Sequence, residues 1–137
     1  MSMAEKPMNI FDIAGRAMSA QLVRLNATAS NLANAGSVSG SEQGAYRAIR
    51  PVFSTVVEKP GVATVKVDQV VSSDMPAKMR HDPGHPLADA DGNVWEAGVD
   101  SSAELVEMVE SARMYQNNVQ VLQTAKSLLL ETIRLGK

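Results

Sequence analysis

Chemistry in this chain would have to come from one short segment. His81-Asp82-Pro83-Gly84-His85, with Asp89 and Asp91 close behind, is the one cluster of metal-ligating residue types in the sequence. Two histidines four residues apart hold a zinc-type ion well when a helix puts them on one face, but Pro83 and Gly84 lie between these two and disfavour that helix. Asp89, Asp91, Gly92 and Asn93 resemble part of a calcium loop, yet the glycine comes one position early and no bidentate glutamate stands at the required distance. The expectation is a turn whose polar side chains bond to backbone, with no metal and no cofactor. No Gly-x-Ser-x-Gly occurs, no glycine-rich phosphate loop precedes a helix, and the glycines near residue 40 lack the lysine of a P-loop. An enzyme with a small-molecule substrate is not expected.

Composition narrows the partners. The 137 residues carry a net charge of −2 and no run of Lys or Arg, so there is no electrostatic footprint for nucleic acid or an anionic membrane. Aromatic residues are 4% of the chain, while eight Met and many Ala supply apolar volume, a composition suited to helix seams. The absence of cysteine excludes disulfides and thiolate chemistry and leaves the compartment open. Glu5, Lys6, Pro7, Asp12 and Arg16 interrupt any signal-peptide apolar core, and charged and amide residues break Val119 to Leu135, so no membrane-spanning segment is expected.

Two stretches have strong helical period. From Met8 to about Ala35, Phe11, Met18, Leu25 and Leu32 recur every seven residues, with Leu22 and Ala29 four after Met18 and Leu25. A continuous helix there would be about 42 Å long. From Asp100 or Ser101, which can cap it with Glu104 as a capping-box partner, Leu105, Met108, Ala112, Tyr115, Val119, Leu122, Lys126, Leu129 and Ile133 follow a 3-4 spacing broken only at Lys126. That helix would be about 50 Å long, with Arg134 and Lys137 at its carboxyl end, where the helix dipole favours cations. Asn31, Asn34, Asn117 and Asn118 beside the seams read as solvated or helix-end residues, or as polar groups that fix register between helices.

Between the helices the character changes. Residues 36–45 are rich in Gly and Ser without periodicity and read as a flexible linker. Residues 46–99 are β-rich: Val52 to Val57 and Val62 to Val71 flank Pro60-Gly61 as a hairpin, and Asn93-Val94-Trp95 is a short candidate strand after a turn-rich stretch. The fold class expected is mainly α with a small β-rich middle. Helices at 1–35 and 100–137 pair as a coiled-coil-like hairpin around a short β-hairpin and turn-rich insert. A fifty-residue insert cannot cover two such helices, so they must pair with each other, with other chains, or both, and the second apolar face points to other chains. The interface candidates are Phe11, Met18, Leu22, Leu25, Ala29, Asn31, Leu32 and Asn34 on the first helix, and Leu105, Met108, Ala112, Tyr115, Asn118, Val119, Leu122, Leu129 and Ile133 on the second.

Specific residues then go beyond periodicity. Ala29-Ser30-Asn31-Leu32-Ala33-Asn34-Ala35, preceded by Met18-Ser19-Ala20-Gln21 and Arg24-Leu25, resembles the amino-terminal signature of the rod, hook and hook-associated proteins of the bacterial flagellum. Tyr46-Arg47, Pro51-Val52-Phe53 and Asp82-Pro83-Gly84-His85-Pro86 are similar to later segments of the rod members. Ser111 to Val119 and Thr124 to Leu129 resemble the carboxyl end of the proximal-rod branch. The resemblance implies an axial subunit of the basal body in the periplasm, exported by the flagellar type III apparatus without signal cleavage. Its partners would be other rod proteins and copies of itself in a tubular lattice that transmits torque. A soluble coiled-coil binding module or export adaptor is the alternative.

Overall fold

The computed structural model describes residues 9–136. The readings placed on Glu5, Lys6, Pro7, Met8 and Lys137 lie outside the described residues. Two helices, α1 (Ile10–Asn34) and α2 (Ser101–Leu135), enclose five strands in sequence: β1 (Val38–Ser39), β2 (Ile49–Lys59), β3 (Val62–Ser72), β4 (Lys78–His81) and β5 (Asn93–Glu96). The expected class, long terminal helices around a small β-rich middle, is the one observed.

Each helix begins at a side-chain cap. The Asn9 carboxamide oxygen accepts from the amides of Phe11 and Asp12 at 2.9 and 3.1 Å, and the Asp12 carboxylate accepts from the Asn9 amide at 3.2 Å, which closes a capping box. At α2 the cap is Asp100, whose carboxylate accepts from the amides of Ser102 and Ala103. Glu104 is not a capping-box partner, because its carboxylate is drawn into the interior by other groups described below.

Residues 36–45 correct the flexible-linker expectation. Val38 and Ser39 pair antiparallel with Glu96 and Trp95, and the Ser37 carbonyl accepts from the Ala97 amide at 3.1 Å. Serine hydroxyls then take up loop amides: Ser39 Oγ accepts from Ser41 and Ser41 Oγ from Gly44. Glycine and serine lower local preference, but an open edge of β5 supplies backbone partners, and that tertiary pairing decides the conformation.

The strands form two sheets, β1-β5-β4 and the β2–β3 hairpin, with every pair antiparallel. Pro60 and Gly61 make the hairpin turn, where Gly61 has φ +83. Ala48, Ala97 and Val99 form a small core between the three-stranded sheet and the helix ends, with Ala35 and Tyr46 packed against it. Gly98 sits in this core because its backbone passes the Met75 and Pro76 carbonyls so closely that a Cβ would lie 2.5 Å from the Met75 oxygen.

α1 is the middle layer of the molecule, packed on α2 on one side and on the β2–β3 hairpin on the other. Arg24 joins all three layers: its Nε lies 3.3 Å from the Glu107 carboxylate on α2, and its guanidinium stands 4.9 Å over the Phe53 ring on β2.

Candidate assembly interface

The most deeply buried side chains of the two helices are small or polar. On α1 the buried set is Ala14, Ala20, Ala27, Thr28 and Asn31; on α2 it is Glu104 and Ser111. The inward line of α2 continues through half-buried Met108, Tyr115, Asn118, Leu122 and Ala125 at the same 4-3 spacing.

That line runs beside the expected seam. Met108, Tyr115, Asn118 and Leu122 are on it, Ala112 and Val119 flank it half-buried, and Leu105, Leu129 and Ile133 are 55%, 52% and 53% exposed. Two 3-4 patterns share Met108, Tyr115 and Leu122 and differ in the alternate position. Apolarity favours the line through Leu105 and Ala112, while the fold uses the one through Glu104 and Ser111. On α1 the expected stripe is likewise displaced outward: Phe11, Leu22 and Ala29 are exposed, and Met18, Leu25 and Leu32 half-buried.

Asn31, expected at a subunit interface, is fully buried inside the chain, at 0% exposure. Its Nδ2 donates to the Ile49 carbonyl and to Glu104 Oε2, both at 3.0 Å; its Oδ1 accepts from the Ile49 amide at 2.8 Å and the Tyr46 hydroxyl at 2.9 Å. A carboxamide has two donor hydrogens and two acceptor lone pairs, so its capacity is filled. Glu104, also 0% exposed, receives Asn31 on one oxygen and the Arg50 guanidinium on the other, with Arg50 42% exposed at the rim. This junction joins α1, α2 and the base of the hairpin. Asn34 acts locally, donating to the Ser30 carbonyl at 2.8 Å.

Sequence reasoning missed Glu104, Arg50, Tyr46 and Ile49 as members of the junction. One signal was present: Glu104 is in phase with Met108, Ser111 and Tyr115, so a helix seam that takes in Met108 and Tyr115 can carry the carboxylate inside.

Large apolar side chains therefore remain outside the chain's own core. On α2, Leu105, Val106, Val109, Leu128, Leu129 and Leu130 are 47–63% exposed. Where α1 begins, Ile10 and Phe11 face Val121, Ala125, Leu128 and Leu129 across an open groove of about 520 Å³.

The histidine segment is a turn built on its own backbone. Asp89 Oδ1 accepts from the amides of Asp91 and Asn93, His85 Nδ1 accepts from the Leu87 amide, and His81 Nδ1 lies 3.1 Å from the Asn93 carboxamide oxygen. Among the described residues no group of three His, Asp or Glu side chains is placed to hold a metal ion, and no helix is long and apolar enough to cross a membrane.

Known proteins match both helical ends and 95% of the chain. Residues 11–40 match the family described as "Flagella basal body rod protein", and residues 90–135 match "Flagellar basal body rod FlgEFG protein C-terminal". The flagellar basal-body rod protein FlgC of Salmonella typhimurium is 50% identical, covering 95% of this chain and 98% of its own. The protein of the same name from Escherichia coli O6:H1 is 51% identical over the same shares, and that from Buchnera aphidicola subsp. Acyrthosiphon pisum is 37% identical. With both helical ends matched to rod families and half of all positions shared along nearly the full length, the chain belongs to the FlgC family of flagellar basal-body rod proteins.

Proposed function

We propose that the chain is a structural subunit of the basal-body rod that joins copies of itself and other axial proteins through the outward faces of α1 and α2. The observation that supports this is the distribution of side chains: the fully buried residues of the two helices are Ala, Thr, Asn, Glu and Ser, while Leu105, Val109, Leu129 and Ile133 on α2 and Phe11 and Leu22 on α1 keep 37–58% of their surface exposed. Left alone, such faces disfavour a free subunit; neighbours in a lattice would bury them.

In this reading the work is mechanical. Repeated heterologous contacts build an open tubular array instead of a closed dimer, and the array carries torque with no substrate turned over. The subunit would lie in the proximal rod in the periplasm, delivered by the flagellar export apparatus, with the hairpin and the three-stranded sheet away from the helical wall.

The test is Leu129→Asp introduced at the chromosomal locus. The purified variant should retain its helix content, whereas cells should be non-motile and their isolated basal bodies should lack the subunit. Wild-type motility with normal incorporation would overturn the proposal.

A further inference from the structure

The β2–β3 hairpin is attached to α1 unevenly along its length. At its base, Ile49 is held by two hydrogen bonds with the buried Asn31 side chain, one donated by Nδ2 to its carbonyl and one accepted by Oδ1 from its amide, and four residues on, Phe53 lies under the Arg24 guanidinium. Beyond Phe53 the hairpin stands off the helix over a groove of about 1000 Å³, lined by Phe11 and Val23 on α1 and by Val56, Val62, Val65 and Val67 on the strands. One ion pair crosses to the tip: Arg16 Nη1 to Glu58 Oε1 at 3.0 Å, with side chains 47% and 31% exposed. The distal half also buries the Thr64 hydroxyl, at 6% residue exposure, with no hydrogen-bond partner, which disfavours the closed arrangement.

The strand pairing is irregular at the boundary between these halves. The pairing register shifts between Val52 and Phe53, where the strands leave the clamped base, and again between Val57 and Lys59 near the tip. Bulges of this kind bend a strand and interrupt its ladder. We infer that the distal half of the hairpin is a strap, hinged at the Val52/Phe53 bulge and closed over α1 by the Arg16–Glu58 latch. An exposed ion pair is weak and screened by salt, while a buried, fully bonded carboxamide is neither, so ionic strength opens the tip and leaves the base in place. The strap is independent of the rod assignment, because it concerns contacts within one chain.

Double spin labelling of the full-length chain tests it. The protein has no cysteine, so introduced thiols are unique. Ser19→Cys with Ala63→Cys spans the tip, and Ala29→Cys with Ser72→Cys spans the base; all four positions are exposed. At low salt the tip pair should give one dominant distance. A longer component should grow in about 1 M salt, where the screening length is about 3 Å. Glu58→Gln at low salt should raise the open-to-closed ratio about two- to fivefold. The exchanged pair Arg16→Glu with Glu58→Arg should restore the closed population, and the base distance should hold throughout. A tip distance unmoved by salt and by Glu58→Gln, an exchanged pair that fails to restore closure, or a base that broadens together with the tip would each overturn the strap.

Discussion

The side chain of Asn31 pairs with the backbone of Ile49 as one peptide group pairs with another across a β-ladder: Nδ2 donates to the Ile49 carbonyl at 3.0 Å while Oδ1 accepts from the Ile49 amide at 2.8 Å. A helix side chain thereby takes the place of a neighbouring strand at the start of β2. The same carboxamide reaches Tyr46 and Glu104, so one residue fixes the hairpin base against both helices.

Replacing that amide with a carboxylate tests the junction at constant size. Asn31→Asp loses both Nδ2 donors and sets a carboxylate oxygen against the Ile49 carbonyl and against Glu104. The expected loss is about 3–5 kcal/mol of unfolding free energy, since buried acceptors and a buried charge are left uncompensated. Urea denaturation followed by circular dichroism measures it, and a loss below about 1 kcal/mol would contradict the geometry.

Arg50 and Glu104 should be energetically coupled, although one is at the rim and the other inside. Arg50→Met removes the cation and leaves a fully buried carboxylate held by Asn31 alone, at a cost of about 2–3 kcal/mol. Combined with Glu104→Gln, whose amide is neutral, the same Arg50 change should cost less than about 1 kcal/mol. A double-mutant cycle that returns additive values would show that the pair does not stabilise the junction.

Much of this architecture was legible in the residues. The helix period, the Pro60-Gly61 turn and the Asn93-Val94-Trp95 strand were each local signals, and each element formed where its signal lay. What apolarity concealed was the rotation of the helices about their axes. Leu105 and Phe11 have the stronger claim to a core by hydrophobicity, but the fully buried positions of the helices include Ala14, Ala27 and Ser111, and the larger side chains stay partly exposed. Residues 36–45 misled for the opposite reason, since Gly and Ser carry little local preference and the deciding partner, β5, is about sixty residues away in sequence.

Gly98 is irreplaceable on steric grounds alone. A methyl group there would meet the Met75 carbonyl oxygen at 2.5 Å and the Pro76 carbonyl oxygen at 3.1 Å, and both are backbone atoms that cannot swing aside. Gly98→Ala should destabilise the chain by about 1–3 kcal/mol through a forced shift of the residues around Met75, while the helix ends keep their capping. Thermal unfolding should show the loss, and an unchanged midpoint would mean that the two segments separate freely.

The two exposures of leucine on α2 separate folding from assembly. Leu122 lies half-buried on the line that faces α1, so Leu122→Asp places a charge between the helices and should cost the isolated chain about 2–4 kcal/mol. Leu129 is 52% exposed, and Leu129→Asp should change the stability of the isolated chain by no more than about 0.5 kcal/mol. Both variants should fail to support motility, for different reasons: the first because the helix pair is lost, the second because an intact subunit has lost its contact. Partial proteolysis distinguishes them, since the Leu122 variant should be cut within the helices at a protease level that leaves the Leu129 variant whole. If Leu129→Asp is degraded as fast as Leu122→Asp, the outward face supports the chain's own fold and is not reserved for neighbours.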